Sequence, residues 1–251
     1  MKIAGFFASL IAFAALSSPS VLAQSQEGVR HAPDGNSSMR INSIYIPPVA
    51  NAPFTATVVT EWTRHLEDGS TITKKNHRIV ARDSAGRVYQ ERRAFTPNGD
   101  QQQTALVQFE FSDPSSHTQY VCMPNRVCEV HSYYARTTLV ANAAAESGSE
   151  SLELNGEDLG HNTIEGLDTL GTRETTTIAP GTIGNDKPLA VVKEFWFSPQ
   201  LGLNLLVTRV DPRSGTEKFR VTDITQGEPD PKLFDPPSGF KVVDTRNPAA
   251  Q

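Results

Sequence analysis

The stretch "PFTATVVTEWTRHLEDGSTITKKNHRIVARDSAGRVYQERRAFTPNGD", Pro53 to Asp100, consists of three strand-like runs separated by turn residues. In the first run Phe54, Ala56, Val58 and Trp62 share one parity, with Thr55 and Thr57 between them. A period of two places apolar groups on one face of a strand and polar groups on the other. "EDGS", "SAGR" and "TPNGD" supply the Gly, Asp, Ser and Pro that bend the chain back on itself. The run is a β-meander, and the fold is expected to be mainly β, with few or no long helices.

Toward the C-terminus the same grammar continues. "TALVQFEFSD" leads to "HTQYVCMPNRVCEVHSYY", His117 to Tyr134, which holds both cysteines of the chain. A hairpin turning at "MPNR", near Asn125, sets Cys122 opposite Cys128, Gln119 opposite His131, Val121 opposite Glu129 and His117 opposite Tyr133. A disulfide is expected, because a redox motif needs Cys-x-x-Cys and a structural zinc site needs two more soft ligands. His117, Glu129 and His131 are the alternative, a metal site on the non-cysteine face. Two exposed histidines on a strand face are the expectation, with no metal and no cofactor.

"TLVANAAAESGSESLEL" is the one place for a short helix or a loose excursion, and "LGTRETTTIAPGTIGNDKPLA" reads as a strand and a Gly/Pro-rich loop. The pattern then tightens. "LAVVKEFWFS" and "LNLLVTRV" are apolar on both faces and joined by "PQLG"; "GTEKFRVTDI" follows the turn "DPRSG". Leu189, Val191, Phe195, Phe197, Leu205 and Val207 make the richer face, expected to be core. Ala190, Val192, Trp196, Leu206 and Val210 make the other, and apolar strand faces are seldom left open to water, so this face is expected to meet a hydrophobic ligand or a further layer. "DPKLF" allows one helical turn behind Asp230, with Phe234 and Phe240 plugging the core.

The N-terminus assigns the compartment. Met1 and Lys2 form a basic n-region, Ile3 to Leu16 an apolar h-region, and "SSPSVLA" a small-residue cleavage site. Residues 1–23 are expected to be a signal peptide, 24–52 a flexible Pro/Ser/Asn-rich arm, 53–244 an antiparallel β domain, and 245–251 a disordered tail. The apolar run is shorter than a membrane span, so the mature chain is expected to have no transmembrane segment. Location is then periplasmic or extracellular, where two cysteines pair by default. A net charge of −5 over 251 residues gives no basic footprint for nucleic acid. Arg64, Lys74, Lys75, Arg78, Arg82, Arg87, Arg92 and Arg93 nevertheless crowd one region, either as solvated strand faces or as a surface for an anionic partner.

The order "EFWFSPQLGLNLLVTRVDPRSGTEKFRVTDI" and then "EPDPKLFDPPSGF" is similar to the closing hairpins of the periplasmic lipoprotein-carrier superfamily of the LolA and RseB type. "PFTA", "DGSTIT", "DSAGRVYQERR", "LGHNTIEGL" and "EPDPKLFDPPSGF", in that order, resemble a group of uncharacterised bacterial secreted proteins. The first resemblance implies a single curved antiparallel sheet, an open half-barrel that takes up acyl chains. Neither motif set is catalytic, and there is no Gly-x-Ser-x-Gly, His-Glu-x-x-His or phosphate loop. Two functions follow as expectations: a non-catalytic envelope protein that binds a lipid, a lipoprotein tail or another hydrophobic ligand, or a structural, protein-interaction module with a filled core. Oligomeric state is not legible.

Overall fold

Alternating strands that each bury one face must pair until their backbone groups are satisfied, and here they do so in one layer. A computed structural model of the chain describes residues 44–97, 104–135 and 152–246. The expected leader, most of the arm, the body of the "TLVANAAAESGSESLEL" excursion and all but the first two residues of the tail lie outside the described residues.

Among the described residues thirteen strands form a single open, curved sheet, not a closed barrel. They are β1 (Phe54–His65), β2 (Thr71–Arg82), β3 (Val88–Arg93), β4 (Thr96–Pro97), β5 (Leu106–Asp113), β6 (Thr118–Met123) and β7 (Val127–Ser132). There follow β8 (Leu152–Ile164), β9 (Leu167–Ile178), β10 (Leu189–Ser198), β11 (Leu203–Asp211), β12 (Gly215–Gln226) and β13 (Lys241–Asp244). Their spatial order is β13-β7-β6-β5-β3-β2-β1-β12-β11-β10-β9-β8, with β4 on β2. The meander is β1–β2–β3, the cysteine hairpin is β6–β7, and the C-terminal trio is β10–β12. Strand β12 returns to β1, where Val58 faces Val221, joining the two halves. A 3-10 turn, Pro231–Phe234, stands where "DPKLF" predicts it, and the Asp230 carboxylate accepts from the Lys232 amide.

The sheet has two cores on opposite faces. Val80 and Ala81 are adjacent in β2 and so point to opposite sides. Val80 joins Phe54, Val58, Leu203, Leu205, Phe219 and Val221 in one cluster. Ala81 joins Tyr89, Phe111, Cys122, Cys128 and Phe234 in the other, with Phe240 packed against it.

Four expectations need correction. Residues 44–52, read as flexible arm, lie on the sheet: Ile44 and Ile46 are buried in the first cluster. The end of the "TLVANAAAESGSESLEL" excursion opens strand β8, whose hairpin with β9 turns through Glu165 and Gly166, both at positive φ. Strand β13 runs parallel to β7, Val242 beside Cys128. Phe197 leaves the core face, because a bulge between Trp196 and Phe197 reverses parity there: Phe197 pairs with Asn204 and is 39% exposed, while Ser198 turns inward opposite Leu203.

Candidate functional site: an apolar strip on the open sheet

The face of β10–β11 that belongs to neither core carries the candidate strip. Across the two strands Val192 faces Val210 and Trp196 faces Leu206, with Ala190 further along β10. None of the five is buried, and Val210 is 43% exposed. The opposite parity is core: Val191, Leu203 and Leu205 are buried and Val207 packs against the first cluster. Phe195 faces Val207 on that side and is half-buried.

Trp196 does not stand upright. Its six-membered ring occupies the space where a side chain at 171 would be, since a Cβ on Gly171 would lie 2.7 Å from Cζ3, 2.8 Å from Cη2 and 2.9 Å from the Leu159 Cβ. The indole leans across β9 toward β8, and only glycine at 171 permits it. Between Trp196 and Val192, Glu194 holds the Arg173 guanidinium at 2.8 Å, and Arg173 reaches Glu157 at 2.6 Å. Those bonds, to Glu194 first and Glu157 second, hold the Arg173 pKa above its ordinary value. Thr177 and Thr175 border Ala190 and Val192. The strip is therefore apolar patches divided by one ion triad and edged by hydroxyls.

Sequence reasoning did not find how the first cluster is closed. Arg82 is fully buried, and its guanidinium donates to the carbonyls of Pro47, Ala52 and Leu201 while lying 5.0 Å over the Phe54 ring. Burial pulls its pKa down to about 10. Arg78 donates to the Ile44 carbonyl and to Gln90 Oε1, Gln90 donates on to Glu110, and Arg92 donates to the same Glu110 oxygen at 2.9 Å. Burial, then the nearby Arg92 charge, lowers the Arg78 pKa to about 10. The crowd of basic residues is thus largely internal or paired: Arg87 with Asp83, Arg93 with Glu91, Lys75 with Glu61. The signal in sequence was the alternation of Arg78 and Arg82 with Val80 on a core parity.

Cys122 and Cys128 form the expected disulfide, both fully buried. The hairpin register is as read: Gln119 faces His131 and Val121 faces Glu129. The three proposed metal ligands do not gather. His131 lies 3.4 Å from Glu129 and 3.0 Å from the Thr245 hydroxyl, whereas the His117 ring tilts against Tyr134. Among the described residues no group of three His, Cys, Asp or Glu side chains could hold a metal ion. A polar cleft of about 340 Å³ opens beside Arg87, Phe111, Asp113, Tyr120, Phe234 and Arg246.

The described residues thus form a single open sheet, antiparallel except at β13, with a core on each face. No family model matches the chain, and no curated protein does. Among solved structures it is similar to an uncharacterised conserved protein from Thermus thermophilus, at 10% identity and a TM-score of 0.40, over 76% of this chain and 90% of that one. The MucA/MucB complex of Pseudomonas aeruginosa matches at 15% and 0.37, over 77% of this chain and 58% of the other. A LolA superfamily protein from Nitrosomonas europaea matches at 11% and 0.29, over 73% and 90%. No helix among the described residues is long and apolar enough to cross a membrane.

Proposed function

We propose that the chain is an exported, non-catalytic protein of the bacterial envelope that holds a hydrophobic ligand, a lipid or a lipoprotein tail, against the strip of Ala190, Val192, Trp196, Leu206 and Val210. One observation supports this above the others. Both cores close without the strip, so these side chains are not needed to complete the fold, yet they sit in register as two cross-strand apolar pairs. Scattered exposed apolar residues need no explanation, whereas a paired strip on a sheet face suits an apolar partner. The resemblance of the C-terminal hairpins to lipoprotein carriers points the same way.

The second reading, a protein-interaction module with a filled core, is favoured by Ile44 and Ile46, which fill the apolar floor of the first face. Native mass spectrometry of protein taken from its own envelope separates the two. A co-purifying lipid that Trp196→Ala loses while its melting temperature stays near wild type supports the carrier. Leu205→Ala should instead cost about 2–5 kcal/mol of stability. If wild type carries no lipid and takes up no fluorescent fatty acid, the carrier reading fails.

A further inference from the structure

Strand β13 is an unusual occupant of its place. It is the one strand among the described residues that pairs in parallel, and its four residues bury little: Val243 is half-buried and Val242 is 48% exposed. What it covers is firm. In β7 Cys128 and Val130 are buried, and the disulfide staples that strand to β6. Backbone bonds hold the segment, from the Lys241 amide to the Arg126 carbonyl at 2.8 Å and from the Thr245 amide to the Val130 carbonyl at 3.0 Å. The Thr245 hydroxyl adds a second donor to Val130 at 2.6 Å. Just before the strand, Phe240 sets its ring 6.0 Å from Phe109 in the second cluster.

The connection to this segment is "DPPSG", Asp235 to Gly239. Asp235 is already extended, at φ −125 and ψ 147, and Pro236 stands before another proline, which disfavours helical angles. Only the turn closed by the Phe240 amide on the Pro237 carbonyl folds the segment back. Opening that turn lets 235–239 run straight and carries Phe240 to Thr245 away together.

We infer that the β7 edge, with the Phe240 pocket beside it, is an interaction surface, and that its partner is the Phe240–Thr245 segment of a second copy of this chain. The exchanged segment makes the same bonds between molecules that it makes within one, so exchange costs few contacts and depends on concentration and on the joint. The prolines favour the straight joint.

The test is light scattering and native mass spectrometry on the full chain, refolded from denaturant at low and at high concentration. A dimer that grows with refolding concentration is expected. Mixed labelled and unlabelled dimers should not scramble until they are unfolded, because release requires pulling Phe240 from the core. Pro236→Ala with Pro237→Ala should lower the dimer fraction several-fold, while the added freedom of the unfolded chain lowers the stability of monomer and dimer alike. Val243→Pro, which removes the amide that donates to β7 between those of Lys241 and Thr245, should abolish the dimer; near-ultraviolet circular dichroism reports whether the monomer still folds. Monomer alone at every refolding concentration, or a dimer that scrambles freely without unfolding, overturns the inference. So does a dimer that survives Val243→Pro.

Discussion

Arg82 shows how much one residue can carry in this fold. A buried cation needs compensation, and Arg82 finds it in main-chain carbonyls of residues 47–52 and of Leu201. Hydrogen bonds to a charged group contribute about 1.5–3 kcal/mol each and do not add simply. Arg82→Ala removes several at once and strands the acceptors, so it should lower stability by about 3 kcal/mol or more in urea melts. Residues 44–52 should then become the first site of proteolysis. Arg82→Lys should recover only part, because an ammonium cannot reach every acceptor in the guanidinium plane. Asp211 makes the complementary case. Its buried carboxylate takes two bonds from the Arg213 side chain, at 2.9 and 2.8 Å, one from the Arg213 amide at 3.0 Å, and one from Arg209 at 3.1 Å. The Arg213 side chain is the main reason its pKa is lowered. A carboxyl lowered in the folded state stabilises above its unfolded pKa of about 3.9 and loses that contribution as pH falls through the folded value. Asp211→Asn should therefore be less stable than wild type at about pH 7, and the gap should narrow in acid melts below about pH 4.

At the scale of elements, glycine positions reveal where strands crowd. A Cβ on Gly215 would lie 2.3 Å from the Thr63 carbonyl, at φ +98, against backbone that cannot move aside. Gly215→Ala should open the β11–β12 turn and loosen the Trp62 indole bond to the Ser214 carbonyl. The expected cost is about 1–3 kcal/mol, with a red-shifted Trp62 emission. The strands that were legible in sequence are those with one polar and one apolar face, such as Phe54 to Trp62, or two apolar ones, such as Leu189 to Val207. Strand β8 was not legible, because an edge strand written "LELNGEDLGHNTI" is wet on most sides and shows no alternation. Strand β13 was hidden for another reason: four residues paired to β7 across the chain have no local signal. The parity of β10 was right as far as Trp196 and failed at Phe197, since nothing in "FWFSPQ" announces a bulge. The apolar strip was thus readable from parity, while the Arg82 clamp needed knowledge of what lay over the face.

An open sheet has two edges, and the molecule as a whole must keep both from recruiting other strands. Strand β13 occupies one. The other is β8, and it is guarded by its own side chains. A bulge between Asp158 and Gly160 breaks its ladder, and the Asp158 carboxylate takes the Gly160 amide at 2.8 Å. The Asn162 side chain takes the Thr163 amide, also at 2.8 Å, so these donors are already filled. Glu157 and Asp158 are exposed there, and no Lys or Arg occurs from Thr137 to Thr172, so two copies brought edge to edge would set acid against acid. The edge charges should matter to association far more than to stability. Replacing Glu157 and Asp158 together with Val should move the urea midpoint little, since exposed substitutions usually stay within about 0.5 kcal/mol, and loss of the screened Arg173 pair adds about 0–1 kcal/mol. The same variant should scatter light at concentrations where wild type stays clear, with thioflavin-positive material forming as β-branched residues replace charges on an open edge. Lysine at both positions should restore clarity, which distinguishes lost charge from lost acid. An aggregating variant whose unfolding free energy falls by several kcal/mol would instead mean that β8 holds up the sheet rather than guarding it.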